Sequence, residues 1–177
     1  MYTREALQDL HGRGQRIIRK LLVLCATLSD EELKRELPGF GFPTVQQQLL
    51  HLIGAEKYWL NVVRGSFVPP AGEQDANSSS SDDDAAELQA YPDVPAIEAY
   101  RQQVAQQTQE YLAGATESEL NSPREMLCWP AKLREMAPAH IISRVVTHAF
   151  QHQGQVLAMC RLLGKPNEMW DLDFPLD

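Results

Sequence analysis

No stretch of this sequence is apolar for long. The longest run, Leu21–Ala26, falls far short of the roughly 20 residues that cross a bilayer, so no helical membrane span is expected. An apolar leader is missing too: Arg4, Glu5 and Asp9 stand where a secretory signal would need one, and a cytoplasmic protein is expected. Cysteine is scarce. The three thiols, Cys25, Cys128 and Cys160, are odd in number and show no CxxC spacing. That argues against a disulfide framework or a zinc ribbon and for free thiols, with Cys25 and Cys160 in the core. Basic residues are not in excess either: 16 Lys and Arg face 24 Asp and Glu, a formal net charge of −8. A chain without a basic stripe cannot neutralise a phosphate backbone, so no nucleic-acid partner is expected.

The acidity is local. Seven of the 24 acids (Glu73, Asp75, Asp82, Asp83, Asp84, Glu87, Asp93) fall between residues 72 and 93, where there is no Lys or Arg; without them 17 acids stand against 16 bases. The body of the chain is therefore nearly neutral. Its 177 residues, 44% of them hydrophobic, suffice for one domain, residues 1–177, that buries a single core. Within it the segment 67–93, rich in Pro, Ser, Asp and Ala, reads as a mobile, solvated acidic loop.

Elsewhere the apolar residues recur at threes and fours. Leu7, Leu10, Gly14, Ile17, Leu21, Leu24 and Leu28 predict a first helix over Arg4–Leu28. A second starts at the N-cap Thr44, carries Val45, Leu49, Leu52, Ile53, Trp59, Leu60 and Val63, and stops at Gly65. A third covers Pro95–Leu112. The last runs from Pro138 to Leu163, with Gly164 behind it, the usual order of proline at the start and glycine past the end. Residues 115–137, interrupted by Asn121-Ser122-Pro123 and Trp129-Pro130, read as irregular, and Trp170–Asp177 as a surface tail. Four long amphipathic helices and no convincing strand predict an all-α, antiparallel four-helix bundle, with a link between helices two and three long enough for a crossover.

Among five histidines, His148 and His152 stand at i and i+4. On a helix those rings project from one face, one turn apart, close enough to share an ion. They continue the inward stripe of Ile141, Val145, Val156 and Met159, where unpaired imidazoles would cost a few kcal/mol. His51 sits among leucines in the second helix and needs the same explanation. Three neutral imidazoles from two facing helices would fill three positions around a divalent metal and leave the rest open, the arrangement of a catalytic rather than a structural site. Gln48 and Gln155 lie one turn from these rings and are candidates to orient an imidazole N–H or a bound water. Glu56, about 140° round the helix from His51, points instead to an ion pair at the bundle's edge, with Arg144 or another base. Tyr58 and Trp59 read as core or pocket wall, His140 as packing at a helix start, and His11 as a surface residue.

His51 followed by Glu56 and Trp59, then His148-xxx-His152-x-Gly154-Gln155, resembles the DinB/YfiT-like superfamily over nearly the whole chain. The resemblance implies a four-helix bundle with a long second crossover and a divalent metal on His51, His148 and His152. Nickel or zinc is the ion implied most often, with iron or manganese as further choices. It also implies hydrolysis, or transfer of a low-molecular-weight thiol onto a small-molecule substrate, and frequently a homodimer. Two positions depart from the pattern: Arg144 stands where members often carry a further histidine, and Gln153 where an arginine often precedes the glycine. Both bear on the surroundings of the three histidines and hence on substrate choice. The competing reading is a non-enzymatic dimer with structural histidines and an acidic docking loop.

Overall fold

The computed structural model describes residues 1–69, 81–166 and 175, the backbone alone for 81–84. Most of the chain is helical, and capping residues explain where each helix begins and ends. Helix α1 (Arg4–Cys25) opens at Thr3, whose side chain accepts from the Ala6 N–H. It stops three residues before the predicted Leu28. Ser29 caps the next helix, α2 (Asp30–Lys34), in a reciprocal box with Glu32, and that role needs an extended backbone at Ser29. Helix α3 (Val45–Arg64) begins at the Thr44–Gln47 capping box and ends at Gly65, which takes the left-handed conformation (φ 69°) that glycine adopts without strain.

Two stretches differ from the sequence-based expectation. Residues 81–90, inside the predicted acidic loop, form helix α4 (Ser81–Ala90). An acidic start followed by Ala85-Ala86-Glu87-Leu88 suits a helix. Leu88 packs on the core, and Gln46 of α3 donates to the carbonyls of Leu88 and Tyr91 at 3.1 and 2.9 Å. Residues 70–80 of the expected loop lie outside the described residues, as does the expected tail except for Pro175, whose carbonyl accepts from Arg13 at 2.6 Å.

The second difference follows α5 (Val94–Gly114) and the short α6 (Glu117–Asn121). There the predicted irregular segment contains an antiparallel hairpin, β1 (Arg124–Cys128) with β2 (Lys132–Met136), in the register Met126↔Arg134. Alternation explains it: Met126 and Cys128 bury one face against Leu60, Val62 and Val63 of α3. The turn carries a cis Trp129–Pro130 bond and Ala131 at φ 58°. Helix α7 (Pro138–Leu162) completes the fold.

The four long helices form the predicted bundle. Helix α7 runs antiparallel to α3, since Gln48 meets Gln155 while Leu60 and Val63 meet Ile141. It runs parallel to α1: Leu7 clusters with Ile142, and Gly14 faces Val146. Helix α5 is antiparallel to α1, with Arg101 on Gln15 and Gln109 on Gln8. Helices α3 and α5 are thus parallel neighbours, and the chain between them must return along the bundle, which is why that link is long. The main core lies between all four and includes Leu21, Leu49, Ile97 and Met159. Cys25 and Cys160 are buried there and hydrogen-bond each other; that bond and burial together raise the Cys25 thiol well above its usual range. Among the described residues no helix is long and apolar enough to cross a membrane.

Candidate metal centre

The antiparallel pairing of α3 and α7 decides which side chains meet. His148 and His152 lie one turn apart on α7, and His51 on α3 arrives opposite them. Ring centroids are 4.4 Å apart for His148–His152, 4.7 Å for His51–His152 and 5.2 Å for His51–His148. One ring nitrogen from each lies within 4.8 Å of the other two. His51 and His148 are half-buried and His152 is buried.

Hydrogen bonds fix one ring. Gln48, fully buried one turn before His51, donates its amide to the Phe42 carbonyl at 2.9 Å and to Gln155 Oε1 at 2.8 Å. A backbone carbonyl only accepts, so the amide nitrogen of Gln48 must face it and Oε1 must face His152 Nδ1, 2.7 Å away. His152 therefore carries its proton on Nδ1 and turns the Nε2 lone pair towards the cluster. There it meets His148 Nε2 at 3.1 Å. Phe42 stacks on His51 at 4.0 Å between centroids and 25° between planes.

The electrostatics keep these rings neutral. Burial is the largest cause in all three. It lowers His51 to about 4 with help from His152 and His148, and His148 to about 4 with help from His152 and Arg144; it lowers His152 as well. Neutral imidazoles with converging lone pairs are what a divalent ion requires of its ligands. The 3.1 Å between His148 and His152 nitrogens also suits the edge of about 3 Å expected for two nitrogens bound about 2.1 Å from one ion. The donor set thus fits such an ion.

The other candidates fall as follows. Gln155 reaches the site only through Gln48. Arg144 is exposed, with its guanidinium 5.4 Å from the Trp59 ring centroid. Two expectations are corrected. His11 is not a surface residue but 1% exposed, and Glu56 is not at the bundle's edge but 5% exposed, with His11 Nε2 at 2.8 Å from its Oε1. Gln109 donates to His11 Nδ1, which leaves Nε2–H for Glu56. Thr108 and Gln15 donate to the carboxylate at 2.7 Å each, and Arg101 donates to Gln15 Oε1. The 140° offset from His51 sends Glu56 into the bundle's centre, away from Arg144. Sequence reasoning missed Phe42; the signal was its place two residues before the Thr44 cap.

The DinB family model matches residues 11–176 of this chain. The fold is similar to that of a DinB-like protein from Bacillus cereus ATCC 10987, with a TM-score of 0.68 and 19% identity over 95% of this chain and 99% of that one. No curated protein matches the sequence.

Proposed function

Because the chain belongs to the DinB family, we propose that His51, His148 and His152 hold one divalent metal ion. Nickel or zinc is the first choice, and iron or manganese the next, since imidazole suits all four. Such an ion, held by these three imidazoles, would supply Lewis acidity and a lowered pKa for a water or small thiol facing an electrophilic small molecule. The reaction class is hydrolysis or transfer of a low-molecular-weight thiol.

The protein's part is to prepare the ligands. Burial keeps the imidazoles unprotonated near neutral pH. Gln48 holds the His152 ring in the tautomer that leaves Nε2 available, the role that an acceptor behind a ligating histidine commonly fills. Phe42 backs His51. No side chain is needed as the nucleophile.

The observation that carries this reading is the convergence of three ring nitrogens within 4.8 Å from two helices. Metal analysis of protein purified without a polyhistidine tag tests it. One equivalent of metal is expected, and none in His148→Ala. Absence of metal after loading with each of the four ions would leave the histidines a structural role. A homodimer, which the family resemblance supports, is the proposed assembly; sedimentation measures it.

A further inference from the structure

Along the seam between α3 and α7 the three histidines are followed, one turn further, by a fixed positive charge. Arg144 precedes His148 by four residues on α7, so the two side chains share a face, about 6 Å apart along the helix axis. Because α3 runs the other way, Trp59, eight residues after His51, comes level with Arg144. Its ring centroid lies 5.4 Å from the guanidinium carbon. The charge reaches the candidate centre: after burial and His152, Arg144 is the next cause that holds His148 low.

The guanidinium is positioned but not consumed. An indole attracts a cation through its ring face and accepts no conventional hydrogen bond, so the N–H fork of Arg144 stays available. Arg13, Arg35 and Arg101 show the ordinary fate of a helical arginine in this chain, each paired with an acid three or four residues before it. Arg144 has Ile141 and His140 at those places. Helix α7 contains no Asp or Glu, and the one acid of α3, Glu56, is taken up by His11, Thr108 and Gln15. Among the described residues no carboxylate pairs with Arg144.

A second guanidinium strengthens the field. Arg134 stands opposite Met126 in the hairpin and so shares the hairpin face turned to α3. Burial raises the Tyr58 hydroxyl above its usual range, and Arg134 and Arg144 are both near enough to oppose that rise. Tyr58 is fixed in turn by the Trp129 N–H at 2.8 Å and by an edge contact with Trp59.

A planar fork of donors beside two half-buried aromatic rings suits a carboxylate, which accepts two parallel N–H bonds. We propose that the small molecule on which the three-histidine centre acts carries a carboxylate, and that Arg144 binds it, with Arg134 adding to the attraction. The part of the centre in this rests on the function proposed above; the preference of Arg144 for a carboxylate does not.

The test is two pairs of NMR titrations of ¹⁵N-labelled protein. Zinc-loaded protein receives 3-mercaptopropionate and, separately, 3-mercapto-1-propanol, thiols of similar length that differ in charge. Metal-free protein receives propionate and propionamide. In each pair the carboxylate should bind with a Kd about tenfold lower, the size of one charge-assisted bond, and shift the Trp59 indole N–H signal saturably. Arg144→Gln should erase the ratio, whereas Arg144→Lys should keep part of it, because the charge remains and the fork does not. Equal affinities within either pair, an unchanged ratio in Arg144→Gln, or no saturable shift overturns the assignment. Arg144 is exposed, and the wild-type ratio decides the matter even if a variant does not fold. Zinc uptake is measured apart. A protein that takes up no zinc yet prefers propionate refutes the proposed function and leaves the carboxylate site standing; uptake of zinc with no preference does the reverse.

Discussion

His11 and His152 are both buried imidazoles that face α3 from other helices, yet their surroundings differ in kind. His11 has both nitrogens matched to protein groups, one by Gln109 and one by Glu56. Glu56 is in turn met by Thr108 and Gln15, and Gln15 by Arg101. The network closes on itself, in the bundle's centre, and offers an incoming ligand nothing. His152 has only Nδ1 matched to a group of fixed character, the Gln48 oxygen. Its Nε2 faces another imidazole, with a third beside it. A closed network specifies how helices pack; an open convergence of lone pairs is a binding site. Residue type and burial do not separate the two cases, whereas the inventory of partners does.

The sharpest way to break the comparison is Glu56→Ala. Removing one partner of a buried pair leaves His11, Thr108 and Gln15 without their acceptor and should cost about 3–5 kcal/mol of stability in denaturant unfolding. The metal stoichiometry of the folded fraction should not change. Gln48→Leu should act the other way. Losing the group that orients His152 should weaken metal binding by about 10- to 100-fold in chelator competition, with stability reduced less than in Glu56→Ala. Equal destabilisation by both, with no effect on metal from either, would abolish the distinction.

Acid sharpens it further with a smaller effect. His51 and His148 are held to about 4 in the fold, below the ordinary value near 6.5. As pH falls the unfolded chain takes up these protons first, so metal-free stability should be full above about 6.5 and decline as pH falls towards 4. Metal should protect the fold through the upper part of that window, because a ligated imidazole cannot take a proton. Melting curves of the metal-free and loaded protein at a series of pH values measure both. The smallest effect belongs to neither cluster: Asp9→Ala removes an exposed i,i+4 ion pair with Arg13 and should change stability by less than about 0.5 kcal/mol.

Much of the fold was legible because helix ends are written in neighbouring residues. Thr44, Gly65, Pro138 and Gly164 mark boundaries that the structure keeps within a residue or two. Ser29 carried the same kind of signal, as the first residue of a capping box, and explains why α1 stops early. Helix α4 was harder to read. Its composition is polar, and its place depends on Leu88 reaching the core and on Gln46, some forty residues earlier, supplying donors. The hairpin was hidden in the same way, since its two inward residues acquire meaning only against the end of α3.

What the sequence determined alone is what helix geometry enforces between near neighbours: the four long helices, and His148 and His152 side by side on one turn. Only the tertiary structure decided which imidazole joins them, which oxygen sets the tautomer of His152 across 104 residues of chain, and that His11 is buried against Glu56. Backbone hydrogen bonding and side-chain spacing within a helix depend on residues three or four apart. A buried polar partner is supplied by another helix, and it exists only once the packing of that helix is set.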